Sequence, residues 1–127
     1  MTAPKVLVAD DSRTIRTQLD LILSQEGFEV ITASTGTDAL ESIFRETPDL
    51  AILDINMPEL DGYGVCQELI ARGEPWSRLP IVFLTSLDSH ALEMLGLKMG
   101  AYLRKPIVGE RVVDVVQSLI PLSFQQF

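Results

Sequence analysis

Leu50-Ala51-Ile52-Leu53-Asp54-Ile55-Asn56-Met57-Pro58-Glu59-Leu60-Asp61-Gly62 is the stretch on which the fold turns. Residues 50–53 are apolar without interruption and read as a strand covered on both faces. Such strands belong to parallel sheets flanked by helices. A carboxylate follows at once, then a loop marked by Pro58 and Gly62. The same design recurs on either side: residues 6–9 run into Asp10 and Asp11, and residues 81–84 run into Thr85. Two more strand-like runs, 29–32 and 102–104, make five, the last followed by Lys105.

Helical patterns fill the gaps between these runs. Residues 13–26 carry Ile15, Leu19, Ile22 and Leu23 at helical spacing, with Ser12 placed to cap the start and Gly27 the end. Residues 38–46 and 64–72 read as the second and third helices, the second halted by Pro48, which disfavours helical geometry at Thr47. An unusually apolar fourth is expected near 89–99. A fifth, 109–120, sets Val112, Val113, Val116, Leu119 and Ile120 on one face and stops at Pro121. The alternation predicts one α/β domain over residues 1–121, doubly wound about a five-stranded parallel sheet, with 122–127 as a short tail or the start of a linker.

Bulk properties agree with that reading. At 127 residues the chain is too short for two full cores, and 46% apolar with 22% charged residues is the composition of a packed domain. A net charge of -8 lacks the basic footprint that nucleic acid or an anionic membrane surface requires. No apolar run is long enough to span a bilayer, and the start of the chain lacks a signal-peptide pattern. Cys66, the lone cysteine, cannot form an internal disulfide and reads as a small packed hydrophobe. A reducing cytoplasm is the expected location.

In an open parallel sheet, ligands bind beyond the carboxyl ends of the strands. The residues expected there are Asp10, Asp11, Asp54, Thr85 and Lys105, which converge if their strands are neighbours. Three carboxylates in one crevice repel one another, and a hard divalent cation relieves that repulsion. Mg²⁺, with Mn²⁺ as a substitute, would take Asp11, Asp54 and a backbone carbonyl such as that of Asn56. Phosphoryl transfer asks the protein for a positioned nucleophile and for positive charge near the equatorial oxygens. Asp54 suits the first role, Lys105 the second, and the Thr85 hydroxyl can donate to a third oxygen. Singly, each residue has a structural reading, since Asp after a strand often caps a helix and Lys-Pro is common in loops. Together, at the ends of four strands, they point to phosphoryl chemistry.

Residues 6–12, 53–62, 80–85 and Lys105-Pro106 resemble the receiver domain of bacterial two-component response regulators, a likeness that runs from Lys5 to about Ile120. The resemblance implies a flavodoxin-like (βα)5 fold with strand order 2-1-3-4-5, an order carried over from that family, itself a standard example of the doubly wound sheet. It implies phosphorylation of Asp54 by a sensor histidine kinase or phosphotransfer protein. Asp10, Asp11, Asp54 and Asn56 would form the Mg²⁺ site, Thr85 and Tyr102 the switch pair, and Lys105 the phosphate contact. Pro106 would follow a cis peptide. Phosphorylation would bias an existing equilibrium, and the fourth helix, fifth strand and fifth helix would present the output surface to a downstream protein or effector domain. The chain fits both a stand-alone regulator and the front domain of a longer one.

Several positions depart from the family pattern. Between Ala101 and Tyr102 two residues are missing, so the fourth helix or its exit is shortened. That helix carries Leu92, Met94, Leu95, Leu97 and Met99, which fits either a sticky face for a partner or homodimer, tested by charged substitutions at Met94 and Leu97, or deeper burial. Leu87 cannot orient a hydrolytic water, so a long-lived phosphoryl group is expected, and His90 reads as solvated surface. A phosphohydrolase is the competing class. Its second acid would fall at Asn56, where an amide cannot shuttle a proton. A receiver degenerate in its site is the third reading, opposed by the full set of five residues.

Overall fold

The computed structural model describes residues 3–86 and 101–120. Five strands, β1 (Lys5–Ala9), β2 (Glu29–Ala33), β3 (Leu50–Asp54), β4 (Ile81–Thr85) and β5 (Ala101–Arg104), form one sheet in the order β2-β1-β3-β4-β5. Every pairing is parallel. The predicted fold and strand order both hold.

β3 and β4 are buried at all five positions, as their unbroken apolar runs require. β2, at the edge, leaves Glu29 and Thr32 exposed. Alternation along the strands splits the core in two. On one side Leu7, Leu53 and Phe83 pack with Ile43, Val65 and Leu69. On the other Val8, Ile52 and Leu84 pack with Leu19, Leu23, Val112 and Val116. Each such fully buried side chain favours folding by about 1.5–3 kcal/mol.

The described α-helices are α1 (Arg13–Gln25), α2 (Gly36–Glu46), α3 (Gly62–Arg72) and α4 (Gly109–Leu119). Three begin with a side-chain cap that satisfies a first-turn amide: Ser12 accepts from Ile15 N–H at 3.3 Å, Thr35 from Asp38 at 3.0 Å and Asp61 from Gly64 at 2.7 Å. Gly27, with φ 88, follows the end of α1. Thr47, with φ 46, closes α2 before Pro48. Both stops agree with the sequence signals.

Boundaries correct the sequence reading in places. α2 and α3 each start two residues earlier than expected, because Thr35 and Asp61 are the capping residues. β2, β3 and β4 each run one residue further, so Asp54 and Thr85 are the last paired residues of their strands, opposite Leu84 and Arg104. α4 ends at Leu119, with Ile120 closing it by donating to the Val116 carbonyl. A short 3₁₀ turn at Trp76–Arg78 has no sequence signal. The Lys105–Pro106 peptide is cis as expected, and so is Glu74–Pro75. The expected fourth helix, with Leu87, His90, Met94 and Leu97, lies outside the described residues, as does the tail.

Candidate functional site

The site is built on the carboxyl edge of β1, β3, β4 and β5. Asp10 directly follows β1, its backbone N–H donating to the Ala33 carbonyl at 3.1 Å, and its side chain is 0% exposed. One carboxylate oxygen, Oδ1, accepts from Ser12 N–H at 2.8 Å. The other, Oδ2, receives no aligned hydrogen bond from the described residues but lies 3.0 Å from Lys105 Nζ, an ionic contact. Asp11, the next residue, is exposed. Asp54 is 5% exposed, accepts at Oδ1 from Asn56 N–H at 3.3 Å, and has Oδ2 3.4 Å from the same Lys105 ammonium.

Asp10, Asp11 and Asp54 each offer an oxygen within 4.8 Å of the others. Such a donor set suits a hard divalent cation, and the buried Oδ2 of Asp10, short of hydrogen bonds, is an oxygen that a cation would satisfy. Burial first, and the neighbouring Asp10 second, push the Asp54 carboxyl above its ordinary range, while Lys105 and the Asn56 amide pull it down. For Lys105 burial alone would favour the neutral amine. Its contacts with Asp10 and Asp54 outweigh that and hold it above the usual lysine value.

Lys105 is held by its backbone as well, since its N–H donates to the Thr85 carbonyl at 2.8 Å and prolongs the β4–β5 ladder by one bond. Thr85 is 4% exposed on the same face of β4 as Phe83, two residues before it. Tyr102 is the register partner of Phe83 and stacks on it, with ring centroids 5.7 Å apart. The carboxylates and Lys105 therefore form one cluster, with Thr85 on the adjoining strand end and Tyr102 one step down β5.

Three supporting features have no forecast in the sequence. Gly62 rests on the end of β3: a Cβ there would stand 2.6 Å from the Asp54 carbonyl oxygen. Glu59, in the loop after β3, holds φ 71, a left-handed conformation that a side chain adopts with strain. Arg16 reaches back from α1 to donate from Nη1 to the Asp10 carbonyl at 2.8 Å, steadying the backbone that carries the buried carboxylate. An arginine on a partly inward helix flank is the available hint, but helical periodicity does not say which carbonyl it meets.

The response regulator receiver domain profile matches residues 6–117. Among curated relatives, the "Probable transcriptional regulator ycf27" of Cyanophora paradoxa is 45% identical over 118 residues, covering 91% of this chain and 48% of that protein. Response regulator MprA of Mycobacterium leprae is 39% identical over 118 residues, covering 91% of this chain and 50% of that one. The chain spans about half the length of the curated relatives it matches. Among solved structures, the chemotaxis response regulator CheY4 of Vibrio cholerae superposes with a TM-score of 0.83 at 30% identity, covering 94% of this chain and 100% of that one. No helix among the described residues is long and apolar enough to cross a membrane. Fold, carboxylate cluster and sequence likeness agree: the chain belongs to the response regulator receiver domain family of two-component signalling systems.

Proposed function

We propose that Asp54 is the phosphoacceptor of this receiver domain. The observation that carries the reading is a buried carboxylate 3.4 Å from the ammonium of Lys105 and clustered with Asp10 and Asp11. In the reaction, an Asp54 oxygen attacks the phosphorus of a phosphohistidine or a small acyl phosphate. The P–O bond to Asp54 forms as the bond to the donor breaks, and the donor's imidazole or carboxylate departs with the electron pair. Asp10, Asp11, Asp54 and the Asn56 carbonyl would hold Mg²⁺, or Mn²⁺ in its place. When bound, the cation would neutralise the carboxylates and balance charge on the phosphoryl oxygens.

The chain's own groups do the rest. Lys105, charged throughout the neutral range, faces the transferred group as a compact point charge. Asn56 N–H, donating to Asp54 Oδ1, fixes the rotation of the nucleophile. Thr85 then turns its hydroxyl to the phosphoryl group and Tyr102 follows inward, which alters the surface of β5 and α4. A sensor histidine kinase or phosphotransfer protein supplies the phosphoryl group in the cytoplasm. The chain fits both a stand-alone regulator and the front domain of a longer one, as relatives about twice its length allow.

Incubation with Mg²⁺ and acetyl phosphate, followed by intact mass measurement, tests the assignment. A metal-dependent phosphoryl adduct on the parent and none on Asp54→Ala is the expected result. An adduct that persists in Asp54→Ala would move the acceptor elsewhere.

A further inference from the structure

A buried hydroxyl on α3 stands outside the roles assigned above. The Tyr63 phenol oxygen is shut off from solvent and has no hydrogen-bond partner among the described residues. Buried tyrosines ordinarily bring that O–H to a partner, because leaving it unsatisfied opposes folding. Tyr63 is also fixed in space. It follows Gly62, whose N–H donates to the Ile55 carbonyl at 3.0 Å and whose Cα presses on the end of β3 beside Asp54. Tyr63 is therefore one residue from the backbone junction that supports the phosphoacceptor.

The ring of Tyr63 points at the switch side of the sheet. Its centroid is 5.0 Å from that of Phe83, and Phe83 in turn stacks on Tyr102 at 5.7 Å. Tyr63 and Tyr102 thus both contact the Phe83 ring, and Phe83 lies on the face of β4 that ends in Thr85. Burial first, then the charge of Tyr102 and that of Asp61, push the Tyr63 hydroxyl up to about 12. Tyr102 is the group in this neighbourhood to which the switch assigns a movement.

We propose that Tyr63 is a positioning residue of the switch, whose unsatisfied hydroxyl becomes the hydrogen-bond partner of the Tyr102 phenol when Tyr102 swings inward. The inference rests on the phosphoacceptor reading and adds to it a residue from α3. A hydroxyl unsatisfied in one conformation and bonded in another shifts the balance toward the second. Removing it reverses that shift, by about tenfold for a hydrogen bond of ordinary strength.

The test uses the whole chain with Mg²⁺ and beryllofluoride, a tetrahedral mimic of the phosphoryl group, titrated by calorimetry. Tyr63→Phe keeps the ring and its contact with Phe83 and removes the oxygen. The expected result is a roughly tenfold weaker apparent affinity for Tyr63→Phe, a similar loss for Tyr102→Phe, and no further loss in the double variant, since both singles delete the same bond. Without beryllofluoride, Tyr63→Phe melts no lower than the parent, because it removes an orphaned polar group; a merely structural tyrosine would lower the melting point and leave the affinity alone. Parent-like affinity in Tyr63→Phe, or losses that multiply in the double variant, overturns the proposal. If the parent itself takes up no beryllofluoride, the phosphoacceptor reading fails first and this inference falls with it.

Discussion

Replacing Lys105 by alanine removes the cation that two buried carboxylates share. At an effective dielectric of about 20, charges 3.0 and 3.4 Å apart attract by about 5 kcal/mol each. Against this, the mutant no longer desolvates the ammonium, and water and protons reach the freed carboxylates, so the net loss is far smaller than the sum. Breaking a buried ion pair usually costs about 3–5 kcal/mol. With the Lys105 side chain 25% exposed, the low end, ~3 kcal/mol, is expected at pH 7 in chelator. For a denaturation slope of ~2 kcal/mol per molar urea, the midpoint falls by about 1.5 M. The loss has a predicted pH signature. Without Lys105 the Asp54 carboxyl, already raised, rises further, so the deficit shrinks as the pH is lowered and the carboxylates take up protons. Mg²⁺ should also restore part of the lost stability, since it replaces the missing charge. Equal losses at pH 7 and pH 4 would refute the electrostatic account and assign the effect to packing of the lysine stem.

In Asp54→Asn the raised pKa works in the opposite sense: the folded protein binds that proton more tightly than the unfolded chain, so the parent loses stability as pH climbs from 3.8 through the folded value, and the variant escapes the loss. In chelator at pH 7 it should melt above the parent, the gap closing toward pH 4, while taking up no phosphoryl group from acetyl phosphate. Parent stability should in turn fall in alkali, since the raised Lys105 pKa contributes below 10.5 and its contribution disappears as pH rises through the folded value, as base titration of the melting temperature would record. Gly36→Ala should cost about 2–3 kcal/mol by urea denaturation, because its new Cβ would collide with the Leu60 carbonyl and over-packing exceeds the roughly 1 kcal/mol of helix propensity gained. Gly64→Ala should be near neutral in the same assay, since the side chain of Leu60, 2.5 Å away, can turn aside.

Glycine shows where sequence reading succeeds and where it falls short. Helical pattern passes over residues 36 and 62 as helix starts because glycine weakens a helix, yet both positions require it: the backbones of Leu60 and Asp54 leave no room for a Cβ. That requirement is tertiary, and local pattern carries no trace of it. Strand ends read one residue short for a related reason. Apolarity stops at Leu53 and Leu84, whereas the ladder of backbone hydrogen bonds continues through Asp54 and Thr85, polar residues at the carboxyl edge of the sheet. Strand existence and core faces are legible because burial on both sides demands unbroken apolar runs. Strand order is not: alternation of strand and helix fits several orders, and 2-1-3-4-5 comes from the family likeness. The carboxylates are legible for the same reason as the strands, since they interrupt apolar runs at fixed places. Arg16 and Tyr63 are not, because their roles depend on which neighbour a helix turns them toward.

The distribution of burial bears on where a phosphoryl signal would travel. β3 and β4 are buried at all five positions, and the cores on both faces lock them, so added charge at Asp54 meets a scaffold that resists deformation. β5 is different: of its four residues Leu103 is buried, Ala101 and Tyr102 are half-buried, and Arg104 is exposed. It is also an edge strand, paired on one side to β4, with Lys105 tied both to Asp54 and, through its backbone, to Thr85. A change in charge at Asp54 therefore pulls, through the Lys105 ammonium, on the residue that directly follows a half-exposed edge strand. On the phosphoacceptor reading, the response emerges at β5 and its Tyr102, because β3 and β4 are held on both faces whereas β5 is a half-exposed edge.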